Sequence, residues 1–285
     1  MKTLIKSALQ LGMGTALAAS SAMGAFTFVN GDIILGVQAT GGVGADKNVF
    51  FNLGSGVYHR DNPGGNNPFG TAGQNQIGNI GATMTLAFGS TWYSRTDVVF
   101  GVVGNLNQQP TSGIGSRLPV DGDPSRTFYL STPTTTVGGG ALYPANAYAP
   151  ATLGIGGNNF SGMEAILPGL TDQTDGAAIL NQTAQPVQWN NSWTKWNPTP
   201  GAAFDVFTGG IQQNLGQGTP LTLVDVQRVL ATNTGASPAG VVGGGTYETT
   251  FAIASDGGIS AIPEPTSGVL ALAAGLVLSL RRRRP

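Results

Sequence analysis

The chain of 285 residues holds 45 glycines, no cysteine and one histidine, with 9% charged residues and a formal net charge of −1. Without cysteine there are no disulfides, thiolate metal sites or cysteine nucleophiles, and a near-neutral chain lacks the basic footprint of a nucleic-acid binder. Apolar residues at 40% and aromatics at 8% still supply a core, which excludes a chain kept disordered by charge.

Residues 1–25 follow the plan of a secretory signal: Lys2 and Lys6, an apolar run from Ala8 to Ala19, then the small residues Ser20 to Ala25. The body, 26–262, is dominated by period-2 patterning. Ile33, Leu35, Val37 and Ala39 alternate with Ile34, Gly36, Gln38 and Thr40, and Val49, Phe51 and Leu53 share a face opposite Asn52. Residues 54–79, which include His59, are polar and read as a loop. Ala82, Met84, Leu86 and Phe88 alternate with Thr83 and Thr85, which predicts a strand. Val98 to Val103 is apolar on both faces and predicts a central strand. Residues 104–125 and 131–160 read as glycine- and threonine-rich connections.

Helical signals sit in the middle. Ser161-Gly162-Met163-Glu164 has capping-box form, with Pro168 limiting its length. Phe204, Phe207, Ile211 and Leu215 lie at helical spacing. Further on, Leu221 to Leu230 is a strand with Asp225 and Arg228 as its only charges. Tyr247, Thr249, Phe251 and Ile253 oppose Glu248, Thr250 and Ala252, and Asp256-Gly257-Gly258 turns into a last strand, Ile259 to Ile262. Strands separated by Gly-, Asn- and Pro-rich connections, with few long helical periods between them, predict an all-β fold. The expected form is an antiparallel, jelly-roll-like β-sandwich with long Gly-, Asn- and Thr-rich loops and one or two short helices.

The C-terminus carries a three-part pattern in residues 263–285. Pro263-Glu264-Pro265 holds the backbone extended. The run from Gly268 to Leu280 has no charge, and Arg281, Arg282, Arg283 and Arg284 follow directly. The run is short of the roughly 17–20 residues that span a bilayer comfortably, but arginine stems snorkel and extend its reach, and a basic cluster belongs on the cytoplasmic side. A C-terminal transmembrane helix is therefore expected. These residues resemble the PEP-CTERM sorting signal of Gram-negative bacteria, all three parts in order. The resemblance implies that an exosortase-type membrane enzyme recognises Pro263, Glu264 and Pro265 during export. It also implies a protein held transiently in the inner membrane, then placed at the cell surface or released, often beside exopolysaccharide. Phe251, Ile253, Ser255 and Gly257 also resemble the last strand of the β-rich bodies that precede such signals.

For chemistry in the body, Trp189, Trp193 and Trp196 fall at spacings of four and three, which would gather them on one helical face. Tryptophan faces either stack on sugar rings or close a core edge. Asp121-Gly122-Asp123, with Asp97, Asp172 and Asp175, offers oxygen ligands, but no twelve-residue calcium loop or nine-residue Gly–Asp repeat is present. There is no Gly-x-Ser-x-Gly elbow and no phosphate loop. Glu164 and Glu248 are the body's only glutamates, and a two-carboxylate hydrolase needs no more than such a pair. The expectation is therefore a non-enzymatic surface or extracellular-matrix protein, structural or adhesive, with no catalytic, metal or cofactor site assigned. A secreted carbohydrate-binding module is the alternative, and a polysaccharide-acting hydrolase the third reading. Setting aside Lys2, Lys6, Arg281–Arg284 and Glu264 leaves seven basic and thirteen acidic residues in 26–262, so the body is acidic.

Overall fold

The computed structural model describes residues 25–61, 76–106, 123, 127–143, 160–196, 210–215, 220–230 and 244–262. Ten strands form one sheet: β1 Asp32–Ala39, β2 Lys47–Ser55, β3 Gln76–Asn79, β4 Val98–Leu106, β5 Thr127–Thr134, β6 Ala177–Asn181, β7 Gln212–Asn214, β8 Leu221–Leu230, β9 Gly244–Ala254 and β10 Gly258–Ile262. Their order is β3-β10-β9-β8-β5-β4-β1-β2-β6, with β7 added to β4, and every pairing is antiparallel. The all-β antiparallel expectation holds. In place of the two stacked sheets of a jelly-roll-like sandwich, the described strands follow one continuous hydrogen-bonded path that curls.

The curl is visible in Phe51. It stands on β2, near one end of the path, yet a Cβ added to Gly78 on β3, at the other end, would lie 2.5 Å from the Phe51 ring. Only a sheet that bends back on itself brings these two strands together. The inner face buries Ile33, Leu35, Val37, Phe51, Phe100, Val102, Val224, Val226, Phe251 and Ile253, so the alternation read in β1, β2 and β9 is the alternation of this core. The outer face is buried as well. Ile34, Phe50, Val103, Phe128 and Leu130 lie beneath Phe160, Met163, Leu167, Leu170, Trp189 and Trp193, which come from the stretch 160–196.

Several local expectations are corrected. Gly81–Phe88 is a helix, α2, rather than a strand. Asn79 Oδ1 accepts from Gly81 N at 2.9 Å at its start, and Gly89, with φ +87°, ends it. Thr83, Met84, Ala87 and Phe88 are buried at three-to-four spacing, whereas Leu86 is 63% exposed. The presumed loop 54–79 contains helix α1, Gly56–Asp61, and strand β3. Strand β5 begins at Thr127 and runs into the stretch read as a connection. Ile211 and Leu215 flank the extended β7 instead of lying on a helix, while Phe204 and Phe207 lie outside the described residues. The Asp256-Gly257-Gly258 turn and the strand after it are as expected, with Gly257 at φ +89°.

Candidate functional site

One end of the curled sheet gathers the start of β1 and the ends of β2, β4 and β8. Helix α1 follows β2 directly and crosses the inner face there. Its first residue lies so close to Tyr129 that a Cβ on Gly56 would come within 2.7 Å of the ring, so glycine is what admits this approach. His59 turns inward and is 7% exposed. Its Nε2 lies 2.9 Å from Leu53 O, and its ring meets Phe251 edge-on at 5.0 Å. Burial lowers the His59 pKa, partly offset by the Leu53 carbonyl. The surface loop histidine expected from the sequence is thus a buried helical one.

Arg60, next on α1, binds Asp123 through Nη1 at 2.7 Å and Asp61 through Nε at 2.7 Å. Asp123 is fully buried. It also receives Arg228 Nη1 of β8 at 2.8 Å and the hydroxyl of Tyr129 of β5. Arg228 Nε stands 2.9 Å from Glu248 Oε1, an ion pair whose angle makes no hydrogen bond, since both atoms are otherwise without one among the described residues.

The position of Glu248 has a backbone cause. Val226 pairs with Thr249 and Gln227 with Tyr247, so Glu248 is the extra residue of a β-bulge, a device that re-aims a side chain. Burial raises the Glu248 carboxyl to about 7, against the pull of Arg228. Burial first, then the bond to Asp123, pushes the Tyr129 phenol up. The bond to Asp61 is the largest influence raising Arg60.

This arrangement is an ionic lock. It ties one helix to three strands through two arginines, the carboxyl groups of Asp123 and Glu248, and the Tyr129 hydroxyl. A carboxyl titrating near 7 suits proton transfer, yet the cavities of about 480 and 310 Å³ described in this fold are lined by other residues. One sequence signal for the lock was Arg228, a charge on the inward parity of an otherwise apolar strand. The strand's other charge, Asp225, points to the other face, where it accepts from Gly138 N at 3.1 Å, Gly140 N at 2.7 Å and the Thr250 hydroxyl. That carboxylate fastens the Gly138–Gly140 run to the sheet.

For two members of the tryptophan row the core reading holds, while the single helical face is corrected. Trp189 ends one helical turn, Pro186–Trp189, and Trp193 begins another, Trp193–Trp196. Trp189 is 4% and Trp193 0% exposed, so neither presents a face to a sugar. The Trp193 ring lies over β1 and β4 where Gly36 and Gly101 leave space for it. The side chain of Trp196 lies outside the described residues.

Two more of the candidate aspartates are engaged within the fold. Asp97 binds Arg95 at 2.6 Å, and Asp175 accepts from Thr83 N at 3.0 Å and Thr83 Oγ1 at 2.6 Å at the start of α2. Among the described residues no three acidic or histidine side chains are gathered as a metal site. Glu164, near the end of the short helix in 160–164, is raised by burial to about 7. Asp121, Pro263, Glu264, Pro265 and Arg281 to Arg284 lie outside the described residues, as does the expected terminal helix. Among the described residues no helix is long and apolar enough to cross a membrane. Comparison with protein-family models, curated proteins and solved structures finds no match to this chain.

Proposed function

We propose that this is an exported protein of the cell surface or extracellular matrix, processed by an exosortase-type membrane enzyme and serving a structural or adhesive role. The observation that carries the reading is the ordered pattern of Pro263-Glu264-Pro265, the uncharged run to Leu280 and Arg281 to Arg284. In this reading the run is a short transmembrane helix that holds the chain during export, and the arginines keep its end on the cytoplasmic side. One structural detail supports it. Strand β10 ends at Ile262, still paired to β9 through Thr250, so the motif follows the last described strand directly in sequence.

The body suits a passive role in the envelope. Both faces of its sheet are covered, and the carboxylates of Asp97, Asp123, Asp175 and Asp225 are tied into the fold. Replacing Pro263, Glu264 and Pro265 by alanine is expected to leave an unprocessed form in the membrane fraction. Processing and surface delivery at the normal rate would overturn the assignment.

A further inference from the structure

The curled sheet leaves a gap where its two ends meet, and the gap holds the cavity of about 480 Å³. Phe51 and Asn52 of β2 form one wall, Ile77 of β3 another, with Phe26 and the turn carrying Asp172 closing it. The volume falls within the roughly 300–1,000 Å³ of small-molecule sites. The apolar walls are fixed in place: Phe26 N donates to Leu170 O at 3.0 Å, and Phe51 is wedged under Gly78.

The charged part of the lining is one-sided. Asp32 and Asp172 are both carboxylates, Thr27 and Ser55 add hydroxyls, and among the described lining residues there is no Lys, Arg or His. The Asn52 amide has its donors engaged by Thr27 O at 2.9 Å and Asp32 Oδ2 at 2.8 Å, and its oxygen accepts from Gly54 N. Asp172 Oδ1 is buried and has no hydrogen-bond partner among the described residues. An ionised carboxylate accepts only, and an ammonium donates only. A neutral sugar brings no charge to answer the two carboxylates.

We propose that the cavity binds an organic cation: a primary ammonium on an apolar body, the ammonium on Asp172 and Asp32 and the body against Phe26, Phe51 and Ile77. Burial and the nearby Asp175 already raise the Asp172 carboxyl, and a bound cation supplies the missing counter-charge. This inference goes beyond the sorting role and stands whether or not that role does.

Three probes share one indole body and differ in head group: tryptamine, the neutral alcohol tryptophol, and indole-3-acetate. Calorimetric titration of the folded protein is expected to show tryptamine binding about tenfold or more tighter than tryptophol, with indole-3-acetate weakest. Asp172→Asn should bring tryptamine within about twofold of tryptophol, and Ile77→Trp, which fills the cavity from its rim, should abolish both. Thermal unfolding curves confirm that each variant is folded. Equal affinity for tryptamine and tryptophol overturns the proposal, as does an unchanged preference in Asp172→Asn. Absence of tryptamine binding, or a site taken by calcium alone, overturns it as well.

Discussion

The two faces of the sheet are buried by different means. The inner face is filled by the strands themselves, alternate residues of β1, β2, β4, β8 and β9 meeting across a curl. The outer face is covered by a largely irregular stretch, 160–196, whose anchor is Trp193 seated on Gly36 and Gly101. The inner core therefore depends on what the strands carry, and the outer one on what two of them lack. A Cβ at Gly36 would fall 2.1 Å from the indole ring, whereas at Gly101 it would meet the same ring at 3.2 Å.

The largest expected effect follows from that seat. Gly36→Val should cost about 4 kcal/mol or more, because overpacking here excludes the anchor instead of shifting it. Tryptophan emission should shift red and quenching by acrylamide should rise, as the cover leaves the sheet. Blue, protected emission at unchanged stability would show that the outer face has another anchor. Trp193→Ala, measured by chemical denaturation, should cost about 3–4 kcal/mol from lost burial and an unfilled seat. Adding Gly36→Val to Trp193→Ala should then cost much less than it does alone, since the two side chains occupy one space. Additive losses would break the comparison.

Predictions for the inner face concern its charged end. Asp123→Asn removes the single carboxylate shared by Arg60 and Arg228. The loss should be about 2–3 kcal/mol, below that of a fully dry pair because both arginines keep some solvent. Amide exchange in α1 should quicken more than in β6, on the far side of the sheet. Uniform quickening would mean that the lock does not belong to α1.

Glu248 gives a smaller effect with a definite sign. Its folded pKa of about 7 lies above the ordinary 4.5, so the folded protein holds this proton more tightly than the unfolded chain. Its contribution is favourable below about pH 4.5 and is lost as pH rises towards 7. Gln cannot ionise, so the stability of Glu248→Gln relative to the parent should climb by about 1 kcal/mol between pH 5 and 8, discounted for the solvent this group retains. The lowered His59 works in the opposite direction below 6.5, but it is common to both proteins and cancels in the difference. Parallel denaturation midpoints across that range would remove Glu248 from the account.

These two cores also mark how much the sequence discloses. Ile33, Leu35 and Val37 announce their strand because their period is that of the pleat, and Phe251 and Ile253 do the same. The lock does not announce itself, because Arg60, Asp123, Arg228 and Glu248 come from four separate stretches, and one of them owes its direction to a bulge. The tryptophan row misleads for a related reason. Spacings of four and three suit one helix, but Asn190 to Ser192 separate two turns, and the seat for Trp193 is defined by glycines more than ninety residues away on β4 and farther still on β1. Composition can mark such positions only as an excess of glycine, without saying which ones carry a ring.

The smallest effect discriminates most sharply between sequence pattern and fold. In Gly81–Phe88 the alternation of Ala82, Met84, Leu86 and Phe88 is as regular as that of β1, and as a strand it would bury Leu86 with Met84. As a helix it buries Met84 with Thr83, Ala87 and Phe88 and leaves Leu86 on the far side, 63% exposed. What decides the matter lies at the ends: Asn79 Oδ1 accepts from Gly81 N, Asp175 takes the N–H and hydroxyl of Thr83, and Gly89 stops the helix. Leu86→Lys should therefore change stability by less than about 0.5 kcal/mol, while Met84→Lys on the buried face should prevent folding. A loss of several kcal/mol at Leu86 would return this segment to the sheet, and with it the period-2 rule that the rest of the inner face obeys.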